Sequence, residues 1–152
     1  MHLTAFTDYS LRVLLYLGNQ PEDKLSNIKE IATIYKISNN HLSKIVFELG
    51  KLDLIETNRG RNGGIRLAKP ASQINIGWVI QQTEDNLELV ECFNKHNNAC
   101  ILTAACRLKH VLNEALVAYL QVLSSYTLED LLLNKDELQS IFQLEASKNQ
   151  LI

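Results

Sequence analysis

A chain of 152 residues with 46% hydrophobic and 21% charged content is ordinary for one globular unit and long enough to bury about two thirds of its unfolded surface, so it should fold without disulfides. The formal net charge of -2 excludes a uniformly basic polycation. No apolar run approaches the roughly 20 residues of a membrane span, and no N-terminal apolar stretch leads into a small-residue cleavage site. The chain is therefore expected in the cytoplasm, away from membranes. In that reducing compartment an odd set of three clustered cysteines argues against a disulfide framework and for a metal site or a redox thiol.

The charge is unevenly placed. Between Lys36 and Lys69 lie Lys44, Lys51, Arg59, Arg61 and Arg66, against only Glu48, Asp53 and Glu56, so the first half carries a basic stretch suited to nucleic acid. In chain order, Thr4 to Leu17 predicts a helix with Thr4 or Thr7 as its cap, and LRVLLYL is apolar on nearly every face, as in a helix with partners on two sides. Asp8 and Arg12 fall at i and i+4 and can pair on one face. Gly18 and Pro21 break this helix. A second starts at Ser26 or Asn27, the latter with capping-box spacing to Glu30, and aligns Ile28, Ile31, Ala32 and Tyr35. Ser38 caps a third, with Leu42, Ile45, Val46 and Leu49 on one stripe. Two short amphipathic helices joined by a tight turn form a helix-turn-helix.

Gly50 is expected to close the third helix. Leu54-Ile-Glu-Thr and Ile65-Arg-Leu then read as two strands around the glycine-rich turn Arg59-Gly-Arg-Asn-Gly-Gly, which makes the hairpin a wing. Its tip, Arg59, Arg61, Asn62 and Gly63, suits a narrow minor groove, where glycine lets the backbone approach and arginine meets enhanced negative potential. The cap and outward face of the third helix offer Ser38, Asn39, Asn40, His41, Ser43 and Lys44 to base edges and phosphates in the major groove. Such a surface binds weakly as a monomer, so a symmetric dimer on a palindromic double-stranded operator is expected.

INIGWVIQQT, from Ile74 to Thr83, predicts a short helix with Ile76, Val79, Ile80 and Thr83 inward and Trp78 as a packing anchor. Residues 1–83 thus form the DNA-binding unit, and 84–106 a cysteine-bearing loop. Thr103 is the expected cap of a long helix reaching about Ser125, which would place Cys106 at its third position. Its stripe, Leu108, Val111, Leu112, Ala115, Leu116, Tyr119, Leu120 and Leu123, is too apolar for one small domain and predicts two copies packed antiparallel. Thr127 with Asp130, and Asn134 with Glu137, are expected to cap two short terminal helices, residues 104–145 forming the dimerisation unit, with a frayed tail beyond Glu145. The fold class is mainly α with a small β-hairpin: a winged helix-turn-helix plus a long dimerisation helix.

Cys92, Cys100 and Cys106 are separated by seven and five residues, mostly polar between the first two. Three thiols in so short a loop make a ligand set with one position left for a weaker donor. Soft thiolates select an iron-sulfur cluster or zinc, while a metal-free oxidant-sensing thiol is the other chemistry open to them. No nucleophile-base pair, phosphate loop or carboxylate dyad is present, and no enzyme is expected.

The motifs TDYSLRVLLYL, SNNHLSKIVFELGKL, RGRNGGIRL and INIGWVIQQTEDNLELVECF, in this order over roughly residues 1–133, resemble the NsrR nitric-oxide-sensing repressors, part of the winged-helix iron-sulfur regulator family that includes IscR. The seven-residue first cysteine interval is similar to NsrR, and Lys109, with His110 one step further on, departs from the IscR pattern. The resemblance implies a homodimer with one cluster per subunit, [4Fe-4S], on Cys92, Cys100 and Cys106. It implies Asp8 of the other subunit as fourth ligand, with Glu91, His96 and His110 as rivals, and makes the Asp8-Arg12 face the link to the DNA-binding module. It also implies release of the operator when nitric oxide nitrosylates the cluster, derepressing detoxification genes.

Overall fold

Thr4 opens the first helix, α1 (Ala5–Gly18), by accepting the Thr7 N–H on its hydroxyl, one of the four donors a helix start leaves unpaired. Thr7 itself is buried in the core and does not cap. The structure, a computed structural model, describes residues 2–94 and 96–149. A second support comes from far along the chain: the Glu84 carboxylate accepts from the Thr4 N–H at 2.7 Å and from its hydroxyl at 3.1 Å. The start of α1 and the root of the cysteine loop are therefore stapled together.

Asn27 caps α2 (Ile28–Tyr35) by accepting the Lys29 N–H. Glu30 does not complete the expected capping box, because its carboxylate accepts from the Tyr16 hydroxyl at 3.0 Å. Ser26 is not a cap either; it bridges Ile65 in antiparallel fashion. Ser38 caps α3 (Asn39–Lys51) by accepting the His41 N–H, and Leu42, Ile45, Val46 and Leu49 are all buried. Gly50 lies inside α3 rather than closing it. The exit comes at Asp53 (φ 53°), whose N–H reaches the Gly50 carbonyl while that of Leu54 reaches Leu49, the paired bonds of a Schellman ending. Aspartate tolerates the left-handed conformation that this ending requires.

Strands β1 (Ile55–Asn58) and β2 (Gly64–Leu67) pair antiparallel with Ile55 opposite Leu67 and Asn58 opposite Gly64. Ile55 and Ile65 face the core, and Arg66 grips Glu56 across the ladder at 3.1 Å. At the tip Gly60 takes φ +117°, and a Cβ at Gly63 would run into the Asn58 carbonyl oxygen.

Asn75 caps α4 (Ile76–Thr83) by accepting the Trp78 N–H, and the stripe Ile76, Val79, Ile80, Thr83 is buried. Trp78 is not the anchor expected: it stands off that stripe, 40% exposed, with the Lys69 ammonium 6.0 Å from its ring. The long helix α5 (Arg107–Ser124) begins later than Thr103 would place it. Cys106 occupies the N-cap position, and the Thr103 hydroxyl donates instead to the Cys100 carbonyl at 2.8 Å. A Cβ on Gly77 would strike Ser124, and Asn75 donates to the Ser124 carbonyl at 2.7 Å, so α4 is pressed on the C-terminal end of α5. None of the residues of α5 is buried; Leu108, Val111, Val117 and Val122 are exposed.

The two short terminal helices are in fact one 3-10 turn, Asp130–Leu132, and one long helix, α6 (Lys135–Asn149). Thr127 donates its N–H and its hydroxyl to Asp130, which holds that carboxyl below its usual range. The helix continues past Glu145 because it has something to pack on. Phe142 enters a cluster with Tyr16 and Tyr35, centroids 5.0 and 6.0 Å away, and Lys148 pairs with Glu145 across the last turn. Phe142→Ala should lower the free energy of unfolding by about 3 kcal/mol, within the range for deleting a buried aromatic ring, measured by urea denaturation.

Candidate nucleic-acid interface and cysteine site

Asn39, Asn40, His41 and Lys44 stand exposed on the first turns of α3, clear of the buried stripe. Ser38 and Ser43 share that surface but have local roles: Ser38 caps the helix, and the Ser43 hydroxyl donates to the Asn39 carbonyl at 2.8 Å. In the wing, Arg66 is held by Glu56, whereas Arg59, Arg61 and Asn62 are exposed at the tip and Gly63 is half-buried beneath them. The first turns of α3 and the wing tip thus each expose basic and hydrogen-bonding side chains. Sequence reasoning missed Phe47, 63% exposed on the same helix with the Lys51 ammonium 4.5 Å from its ring. An aromatic one position off the apolar stripe was the available signal.

Asp8 and Arg12 pair as their spacing predicts. Arg12 Nε and Nη2 donate to the two carboxylate oxygens at 3.0 and 2.7 Å, and these bonds push the guanidinium pKa up. Both side chains are half exposed. Sequence reasoning did not find what the pair touches. The Arg12 guanidinium lies 5.6 Å from the Tyr9 ring, and Tyr9 meets His41 edge-to-face, centroids 5.4 Å apart. Half-buried Tyr35 donates its hydroxyl to the Arg12 carbonyl at 2.9 Å; its partial burial raises that phenol's pKa, keeping it a neutral donor. A run of contacts therefore joins Asp8 on α1 to His41 on the first turn of α3.

Cys92 lies in a 3-10 turn, Glu91–Phe93, Cys100 in a loop and Cys106 at the cap of α5. All three are free and half-buried. Near-neighbour hydrogen bonds shape the loop: Asn94 accepts from the N–H groups of His96 and Asn97 at 2.8 and 3.0 Å, and Asn98 from that of Cys100 at 3.0 Å. Among the described residues no three His, Cys, Asp or Glu side chains converge closely enough to hold a metal. The single chain therefore does not gather the three cysteines with Asp8, Glu91, His96 or His110. The donors are nevertheless chemically apt: three free thiols, one of them at the N-cap of α5, on a loop that contributes no residue to the hydrophobic core, and soft thiolates are ligands for iron-sulfur clusters and zinc.

Residues 3–134 match the family model Rrf2, described as iron-dependent transcriptional regulator. The chain belongs to the Rrf2 family. Among its Rrf2 relatives, the HTH-type transcriptional regulator NsrR of Halalkalibacterium halodurans is 67% identical over 145 residues, covering 95% of this chain and 99% of that protein. The regulator of the same name from Bacillus subtilis is 52% identical over the same shares of the two chains. In fold, the chain is similar to T. potens IscR, with a TM-score of 0.72 at 23% identity over 91% of each chain. It is likewise similar to CymR, the global cysteine regulator of B. subtilis, with 0.68 at 23% over 86% of this chain and 95% of that one. The Rrf2 assignment makes the protein a DNA-binding transcriptional regulator and not an enzyme. Among the described residues no helix is long and apolar enough to cross a membrane.

Arg59→Ala and Arg61→Ala should each weaken operator binding and lower the slope of log affinity against log salt by about 1, read by fluorescence anisotropy. Arg12→Ala should shift folding stability by less than about 1 kcal/mol, as for an exposed ion pair. Thermal denaturation checks this, and any larger regulatory effect of Arg12→Ala is then not a folding defect.

Proposed function

We propose that the protein is a cytoplasmic repressor that binds a palindromic operator as a homodimer and senses nitric oxide through an iron-sulfur cluster, one per subunit and of the [4Fe-4S] type. Cys92, Cys100 and Cys106 of one subunit and Asp8 of the other hold it; operator release follows exposure to nitric oxide and derepresses detoxification genes. Such a cluster supplies an iron whose oxygen ligand is weakly held and exchangeable, a place for a diatomic signal to bind. The donor set supports this reading, as does the company of relatives named NsrR. The unburied face of α5 supports the dimer.

The observation that carries the reading is the run Asp8, Arg12, Tyr9, His41. Asp8 has two alternative partners. In the single chain both its oxygens accept from Arg12, and as a ligand to the second subunit's site it gives up at least one of those bonds. Exchange between the two moves the guanidinium, which lies beside Tyr9, and Tyr9 touches the first turn of the recognition helix. A difference of a few kcal/mol between the two arrangements changes operator occupancy a hundredfold or more.

Anaerobically purified protein should be coloured, give a cluster Mössbauer spectrum, and lose operator affinity on stepwise addition of nitric oxide. A colourless, zinc-containing preparation, or operator binding unchanged after cluster loss, would overturn the proposal. Asp8→Ala should leave the three-cysteine site able to load but reduce by at least about tenfold, equivalent to 1.4 kcal/mol, the difference in operator affinity between loaded and unloaded protein. Cys92→Ser, Cys100→Ser and Cys106→Ser should each abolish the colour.

A further inference from the structure

On α3 the residues turned away from the buried stripe Leu42, Ile45, Val46 and Leu49 follow one another at helical spacing: Asn40, Lys44, Phe47 and Lys51, at i, i+4, i+7 and i+11. All four are exposed, Phe47 to 63%. Every other exposed residue of this helix is polar, so the ring is the one apolar group on its outward face. It is also braced. The Lys51 ammonium lies 4.5 Å from the ring centroid and 2.9 Å from the Glu48 carboxylate, so one cation holds the ring and offsets the acid beside it. A lone apolar side chain on a surface is ordinary; this one stands in line with the amide of Asn40 and the ammonium of Lys44.

We infer that Phe47 is a specificity-determining residue that contacts a thymine 5-methyl group in each half of the operator. The inference deepens, and rests on, the proposed binding of that operator through α3. DNA offers such a ring one kind of partner: base edges in the major groove present donors and acceptors, and the apolar group among them is the thymine methyl. Asn40 and Phe47 are separated by about 10 Å along the helix axis, the length of about three base pairs, so amide, ammonium and ring face successive bases. Lys44 and Lys51 on phosphates would position the helix without discriminating between sequences. The ring discriminates, because burying one methyl is worth about fourfold in affinity and a polar base edge at that place would be left unpaired against it.

The test uses the duplex that the anaerobically isolated, full-length protein selects from a randomised library, remade with uracil in place of each thymine in turn. Uracil lacks only the methyl and keeps the hydrogen-bonding groups. One thymine in each half-site should prove sensitive, its replacement weakening binding by about fourfold in fluorescence anisotropy, and Phe47→Ala should bind the thymine and uracil duplexes alike. The uracil scan on the unsubstituted protein stands whether or not that variant folds. Uracil without effect at every position, a selected duplex with no thymine in its half-sites, or the same sensitivity in Phe47→Ala overturns the inference and leaves operator binding in place. If no duplex is selected, operator binding itself fails, and the inference with it.

Discussion

Burial of one side of α1 against the winged helix is the constraint on which the other parts depend. Val13, Leu14, Tyr16 and Leu17 are almost wholly buried, and each such side chain is worth about 1.5–3 kcal/mol of transfer free energy. Asp8, Tyr9 and Arg12 lie only half-buried along the same helix. A helix anchored in this way cannot shift one face without shifting the other, because close-packed cores resist gradual deformation. Whatever acts on Asp8 is therefore felt by the packing that positions α3. The Tyr35 hydroxyl on the Arg12 carbonyl and the edge of Tyr9 on His41 are the local forms of that coupling.

The C-terminal helix changes how the winged helix is held. Phe142 lies against Tyr16 from α1 and Tyr35 from α2 at once, with Tyr16 in turn donating to Glu30. The three rings form a wedge between α6 and the two helices, α1 and α2, that pack against α3. The last part of the chain thus serves the DNA-binding unit as much as any interface between copies.

Most of the winged helix was legible in the sequence because its signals are local. Ser38 capping α3, the buried stripe from Leu42 to Leu49, and the glycine-rich tip between two short strands each follow from residues within one turn or one hairpin. What was missed depends on contacts between distant segments. Glu30 left its capping box for Tyr16, Thr103 turned to Cys100 rather than capping α5, and the polar end of α6 stays helical because Phe142 binds it to α2. Trp78 lies off the buried stripe, where residue size misled and helical phase did not. Of the candidate site, the clustering of three cysteines and the exposed basic residues could be read from the sequence, but no local pattern reveals that Tyr9 meets His41.

The staple from Glu84 to Thr4 has a further consequence. It fixes the root of each cysteine loop on that chain's own first helix, while Asp8, four residues along from Thr4, is proposed to reach into the other subunit's loop. Each first helix then belongs to two sensing sites at once, its own by tether and its partner's by ligation. On that proposal the two sites of a dimer would not be independent detectors, because disturbance of one would displace a helix that anchors the other.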